Sequence, residues 1–186
     1  MKTIAKTTDI AYVALGAVLI TVCSWISIPM AVPFTMQTFA VFCVLLILGG
    51  KRGTMSIAVY ILLGAAGLPV FSGFTGGIGK LLGSTGGYIL GFVFTGLLYW
   101  LGEALLSQAE SAAGRIACIG SLVLGMAVCY AFGTAWFMYV YARNTGAIAL
   151  GTALGWCVLP FIIPDLIKLA LAVILASRVR KALKLR

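Results

Sequence analysis

Asp165 and Lys168 stand inside an otherwise apolar block that runs from 147 to 176. An ionisable side chain at membrane depth costs about 2.5–3.5 kcal/mol even on insertion-derived scales, so it faces a cavity or a partner. The i, i+3 spacing puts both residues on one helical face, close enough to pair with each other. Such a pair can serve in two ways. It can hold helices together, or it can accept from an N–H and donate to a C=O, which suits a neutral amide- or urea-like group. Pro160 and Pro164 favour the second use, because they place the pair in the first turns of its helix, where unpaired backbone N–H groups and the positive dipole end gather.

The second chemical feature is the stretch GLPVFSGFTGGIGKLLGSTGGYILG from Gly67 to Gly91, with seven glycines between Gly73 and Gly87 and one charge, Lys80. Glycine permits close backbone approach and positive φ at an entropic cost. Irregular backbone at membrane depth is tolerated where it is buried in protein or lines a polar cavity. The stretch is therefore expected to form one wall of a ligand pocket, with Gly73 along it. Phe71 and Tyr88 border it and would supply apolar walls, and Gln37 would reach the same space from an outer connector. Lys80 is either a lysine whose stem snorkels from the loop or a counter-ion for an anionic substrate. Two nucleotide motifs nearly occur here and both fail. A phosphate-binding P-loop would need Gly at Phe74 and Ser or Thr at Leu81, and the dinucleotide pattern has Leu82 where its third glycine belongs. The chain is not expected to bind ATP.

Composition sets the class. Of the 186 residues, 62% are apolar and 9% charged, with a mean hydropathy of +1.15, against about 45–50% and 25% in soluble domains. This is the composition of an integral membrane protein. At about 20 residues per crossing helix, the length accommodates six spans in one domain over 1–186. The net charge of +9 sits between apolar segments and at the tail, which points to topology and lipid headgroups rather than nucleic acid. The chain has no His, and its five Cys all lie in apolar runs without a CxxC pair; they are expected to pack rather than to bind metal or form disulfides. No removable signal peptide is expected at the N-terminus.

An all-α protein with six transmembrane helices and a glycine-rich outer loop between helices 3 and 4 follows. The predicted helices cover about 10–28, 35–49, 54–68, 88–106 and 116–142, with the last in the block 147–176. Pro29 and Pro33 divide the first apolar run, and Pro69 ends the third helix. Gly79, Gly83, Gly87 and Gly91 would line a groove if helical, although the Ser-Thr-Gly-Gly run sets the helix start near Thr85. Glu103, Glu110 and Arg115 flank a polar turn. Ala11, Ala14 and Ala17 recur every three residues and form a small-residue face, for packing within the chain or for a partner. With the N-terminus inside, ten basic residues fall on inner segments and two, Lys80 and Arg143, on outer ones. The positive-inside rule then places both termini in the cytoplasm and the glycine stretch outside, an arrangement for uptake.

VPFTMQ at 32–37, YILLGAAGLPVF at 60–71, GSTGGYILGF at 83–92 and DLIK at 165–168 together resemble the biotin-specific substrate-capture subunits (S components, the BioY family) of energy-coupling-factor transporters of bacterial cytoplasmic membranes. The resemblance covers most of the chain in order. It implies six helices, an outward-facing biotin pocket and no cofactor of its own, with ATP hydrolysis supplied by separate ATPase subunits and a transmembrane coupling subunit. Matched residue by residue, the family's pocket motifs fall on Gly83, Thr85, Gly86, Gly87, Tyr88, Asp165 and Lys168, the last two addressing the ring end of the vitamin. Ser84 replaces the family's usual Pro, and Ile163-Pro164 replaces Pro-Gly before the aspartate. The family's docking motif on helix 1 is matched loosely by Ala11, Ala14 and Ala17.

Other readings are an S component for a different vitamin, a self-standing facilitator and an intramembrane enzyme. The last lacks a nucleophile–base set or a metal site, and a pore would need polar residues along several helices, which helices 1, 3 and 5 do not carry. The orientation has its own test. In a chain stripped of native cysteines, Ser84→Cys is expected to react with a membrane-impermeant thiol reagent in intact cells; reaction only after lysis would reverse the topology.

Overall fold

The computed structural model describes residues 2–30, 32–106 and 112–182. The chain is mostly helical, in the order α1 (Lys2–Trp25), β1 (Ser27–Ile28), β2 (Phe34–Thr35), α2 (Gln37–Leu48), α3 (Gly50–Ala65), α4 (Ile78–Leu82), α5 (Gly86–Leu106), α6 (Ala112–Asn144), α7 (Leu150–Cys157) and α8 (Leu159–Ala182). Four stretches among the described residues are long and apolar enough to cross a membrane: Thr7–Trp25, Gly86–Leu105, Ile116–Asn144 and Leu150–Ala182. Every long apolar run became helix because a helix satisfies its own backbone where water is absent.

The differences from the sequence reading lie in the connections. The Pro29–Pro33 connector is a small antiparallel hairpin, with Ser27 opposite Thr35 and Ile28 opposite Phe34, so α1 stops at Trp25 and Gln37 opens α2 instead of lying in a loop. The block 147–176 divides into α7 and α8, and α8 runs on through the basic tail to Ala182. Glu110 and its turn, together with Lys184 and Arg186, lie outside the described residues.

The glycine stretch is not one irregular loop. Phe71 and Thr75 exchange backbone hydrogen bonds, and the Gly77 N–H donates to the Gly64 carbonyl at 2.7 Å. Short helix α4 follows. Ser24 Oγ donates to the Val70 carbonyl at 2.6 Å and Trp25 Nε1 to that of Pro69 at 2.9 Å, tying the stretch to α1. Because α4 ends at Leu82 and α5 starts at Gly86, Gly79 and Gly83 do not continue the glycine row of α5. Gly87 and Gly91 do, and a Cβ there would strike Trp136 and Cys129 of α6. That close approach underlies the α5–α6 packing, the most extensive helix pair in the fold.

Two apolar clusters result. The larger joins α1, α2, α3 and α5 through residues such as Ile20, Phe42, Tyr60 and Ile89. The smaller gathers Val32, Tyr88, Phe137, Cys157 and Phe161 from the hairpin, α5, α6, α7 and α8. Of the alanines on α1, Ala17 is buried in the larger cluster while Ala11 and Ala14 are exposed. The three do not share one face: a three-residue step on a 3.6-residue helix drifts about 60° each time. Of the two uses expected of these alanines, Ala17 serves packing within the chain, while Ala11 and Ala14 stay on the surface.

Candidate functional site

Between the two clusters lies a cavity of about 810 Å³, its open mouth included. Its walls come from β2 (Thr35), the first turns of α2 (Gln37, Thr38, Phe42), α4 (Lys80), the α4–α5 turn (Thr85), α5 (Tyr88, Phe92), α6 (Met126, Cys129, Tyr130), α7 (Cys157) and α8 (Phe161, Asp165, Lys168).

Asp165 and Lys168 are 3% and 5% exposed. Burying two charges is tolerated only when geometry and extra hydrogen bonds offset the desolvation, and both conditions hold. Lys168 Nζ donates to Asp165 Oδ1 at 2.8 Å and to the Thr35 carbonyl at 2.7 Å, and stands 4.1 Å from the centre of the Phe34 ring. The Tyr130 hydroxyl donates to Asp165 Oδ2 at 2.6 Å, a length in the charge-assisted range. The hairpin, α6 and α8 therefore meet at one ion pair. Pro164 lies inside α8, which begins at Leu159, so Asp165 sits beyond the first four N–H groups of the helix. The proximity to unpaired N–H groups expected from the prolines is thus corrected: side chains and one carbonyl, rather than the helix end, satisfy the pair.

Gln37 is 5% exposed, and its Nε2 has no hydrogen-bond partner among the described residues. A buried donor left unpaired costs about 1–3 kcal/mol; this one lines the cavity, where a ligand or water can take it up. Tyr88 turns its hydroxyl to Thr134 Oγ1 at 2.9 Å. Its ring lies so close to α6 that any Cβ at position 133 would overlap it, so Gly133 sets the position of that wall.

Six of the sequence-selected residues meet at the cavity: Asp165, Lys168, Tyr88, Thr85, Gln37 and Lys80. Five do not line it. Phe71 is wholly buried, edge-on to Tyr60 at 5.5 Å and pressed on Gly64; adjacency to the glycine stretch in sequence did not make it adjacent to the cavity. Gly73 lies in the exposed loop with φ +73°. Gly83 accepts from Trp136 Nε1 at 3.0 Å, while Gly86 and Gly87 pack on Leu81 and Trp136. These last three shape the turn that carries Thr85 and Tyr88. Sequence reasoning passed over Tyr130, Phe34, the Thr35 carbonyl, Phe92, Met126, Cys129 and Phe161. A phenol in the middle of an apolar helix needs a buried partner, a signal that would have singled out Tyr130. A backbone carbonyl carries no such signal.

An apolar helical protein with an open-mouthed cavity, and with a buried Asp–Lys pair on the cavity wall, defines a membrane-embedded substrate-binding protein. The BioY family model matches residues 1–185, and the chain belongs to the BioY family, a family of transport proteins rather than enzymes. The biotin transporter BioY of Thermotoga maritima is 42% identical over 164 residues, 88% of this chain and 90% of its own length. The probable biotin transporter BioY of Pyrococcus horikoshii is 40% identical over 176 residues, 94% of this chain and 98% of its own. Among solved structures, the S-component for biotin from an ECF-type ABC transporter superposes with a TM-score of 0.81 at 28% identity, covering 97% of this chain and 95% of that one.

Tyr130→Phe is expected to destabilise the detergent-purified protein by about 1.5–3 kcal/mol, the worth of a hydrogen bond to a charged group, read as a lower melting temperature. Unchanged melting would show that water holds Asp165 Oδ2 as well as the phenol does.

Proposed function

We propose that this chain is the substrate-binding subunit of a biotin uptake system and that the cavity binds biotin. The observation that carries the reading is the buried Asp165–Lys168 pair at a cavity wall in a chain of the BioY family. The ureido ring of biotin has two N–H donors flanking one carbonyl. Among the described residues, each oxygen of Asp165 accepts one hydrogen bond and has room for another. Lys168 spends two of its three donors on Asp165 and Thr35, and the third can meet the ureido carbonyl. Gln37 adds a polar group on the same wall system. Tyr88, Phe92 and Phe161 supply apolar surface for the thiophane ring and valeryl chain, and Lys80 is the counter-ion for the carboxylate.

In the same reading, 1–186 is one membrane domain whose six crossings are α1, α2, α3, α5, α6 and α8. The short helices α2 and α3 reach across with the segments that flank them. Both termini face the cytoplasm across a bacterial cytoplasmic membrane, the glycine stretch faces out, and Gly73, Gly83, Gly86, Gly87 and Phe71 support the pocket without touching its ligand. The chain uses no cofactor. A transmembrane coupling subunit and ATPase subunits of an energy-coupling module drive transport, and the exposed Ala11 and Ala14 on α1 belong to the surface offered to that coupling subunit.

Removing either member of the pair strands the other in a nearly dry site. Asp165→Ala and Lys168→Ala are each expected to weaken biotin binding by roughly ten- to a hundredfold, equivalent to about 1.5–3 kcal/mol. Asp165→Asn should be milder, because the amide keeps an acceptor oxygen. Melting temperature and dissociation constant measured on the same samples separate binding from scaffolding. Unaltered affinity in both alanine variants would leave the pair a packing device and remove the support for this reading.

A further inference from the structure

A second cavity, of about 540 Å³ with its mouth included, opens at the other end of the helices. It shares no lining residue with the first. Arg180 lies on its wall fifteen residues beyond Asp165 on the same helix, roughly 22 Å along the axis at 1.5 Å per residue. Tyr12 of α1, Gly49 at the α2–α3 turn, Arg52 of α3 and Glu103 of α5 complete the polar part of the wall.

The charges of this cavity are not equally engaged. Arg52 is tied to Asp9 at 2.6 Å. Glu103 Oε2 accepts the Gly50 N–H at 2.6 Å and so caps the start of α3, where a carboxylate is favoured by the helix dipole. Among the described residues, Arg180 has only a 3.4 Å contact with the Leu46 carbonyl, and no carboxylate lies within ion-pair distance of it. A guanidinium presents five donors in a planar fork suited to two oxygens of one phosphate. Most of those donors remain for a ligand. Lys51, Arg178 and Lys181 add positive charge to the same helix ends, which belong at the headgroup level of a membrane protein, where basic pockets between helices hold anionic headgroups.

We infer that this cavity is a binding site for a phosphate-bearing ligand: the phosphodiester lies against Arg180, and a hydroxyl or ammonium on the same ligand donates to Glu103. A phospholipid headgroup supplies both groups on separate atoms of one molecule; free phosphate supplies the anion without an alcohol or an ammonium.

The test uses the full chain in nonionic detergent, titrated with phosphatidylglycerol, phosphatidylcholine or inorganic phosphate. Binding is followed by native mass spectrometry and by melting temperature. Phosphatidylglycerol is expected to bind and stabilise the wild type, with affinity falling about tenfold in Arg180→Gln, as for a lost charge-assisted contact, and partly recovered in Arg180→Lys. Arg178→Gln removes an equal charge from an exposed neighbour and is expected to change little. Melting without added lipid checks that each variant is folded. Phosphatidylcholine, which carries the phosphate but no donor for Glu103, should bind more weakly; equal binding would overturn the role of Glu103. Inorganic phosphate stabilising as strongly as the lipid, with the same dependence on Arg180, would keep the phosphate site and assign it to a free anion. Equal losses in Arg178→Gln and Arg180→Gln, or no loss in either, would overturn the site.

Discussion

A carboxylate and an ammonium buried together in an apolar helix bundle impose a strict condition on everything around them. The desolvation penalty of each ion is several kcal/mol, and mutual attraction offsets it only with good geometry and further hydrogen bonds. Here the condition is met from three directions: α8 supplies the pair, α6 the Tyr130 phenol, and β2 the Thr35 carbonyl. Moving any of these by an ångström or two would leave a buried charge short of a partner. The ion pair therefore fixes how the hairpin, α6 and α8 sit relative to one another, and the cavity is the space that this arrangement encloses.

The apolar side of the cavity depends on a different constraint, the absence of side chains. Gly133 allows the Tyr88 ring to lie on α6, and Gly87 allows α5 to close on Trp136. Trp136 in turn holds the Gly83 carbonyl, which fixes the turn carrying Thr85. A packed interior resists continuous deformation, so these contacts and the polar ones hold the site walls in position. Gln37 is the exception, a buried amide whose Nε2 is unmatched among the described residues; it marks where the site has hydrogen-bonding capacity left over.

Much of this was legible in the sequence. Long apolar runs predict helices because a helix satisfies its own backbone in lipid, and Asp165 and Lys168 stand out because ionisable groups at that depth need a reason. What was not legible shares a physical cause: it depends on contacts between segments distant in sequence. The hairpin at 27–35 was hidden by its prolines and its shortness. Helix α4 was hidden by the glycines around it. Phe71 looked like a pocket wall from its neighbours in the chain, yet Gly64 opened a space for its ring in the core. The alanines of α1 recur regularly, but their spacing drifts around the helix, and only Ala17 reached the interior. The Thr35 carbonyl, which every residue type would have supplied, left no trace in sequence at all.

The central claim is that the ion pair recognises the ureido ring, and it is tested most directly on the unmodified protein by changing the ligand. Biotin and an analogue methylated at both ureido nitrogens would be titrated calorimetrically into the purified chain. The account predicts one molecule of biotin per chain, with the methylated analogue bound at least tenfold more weakly, because it cannot donate to Asp165. Equal affinity for the two ligands would contradict it.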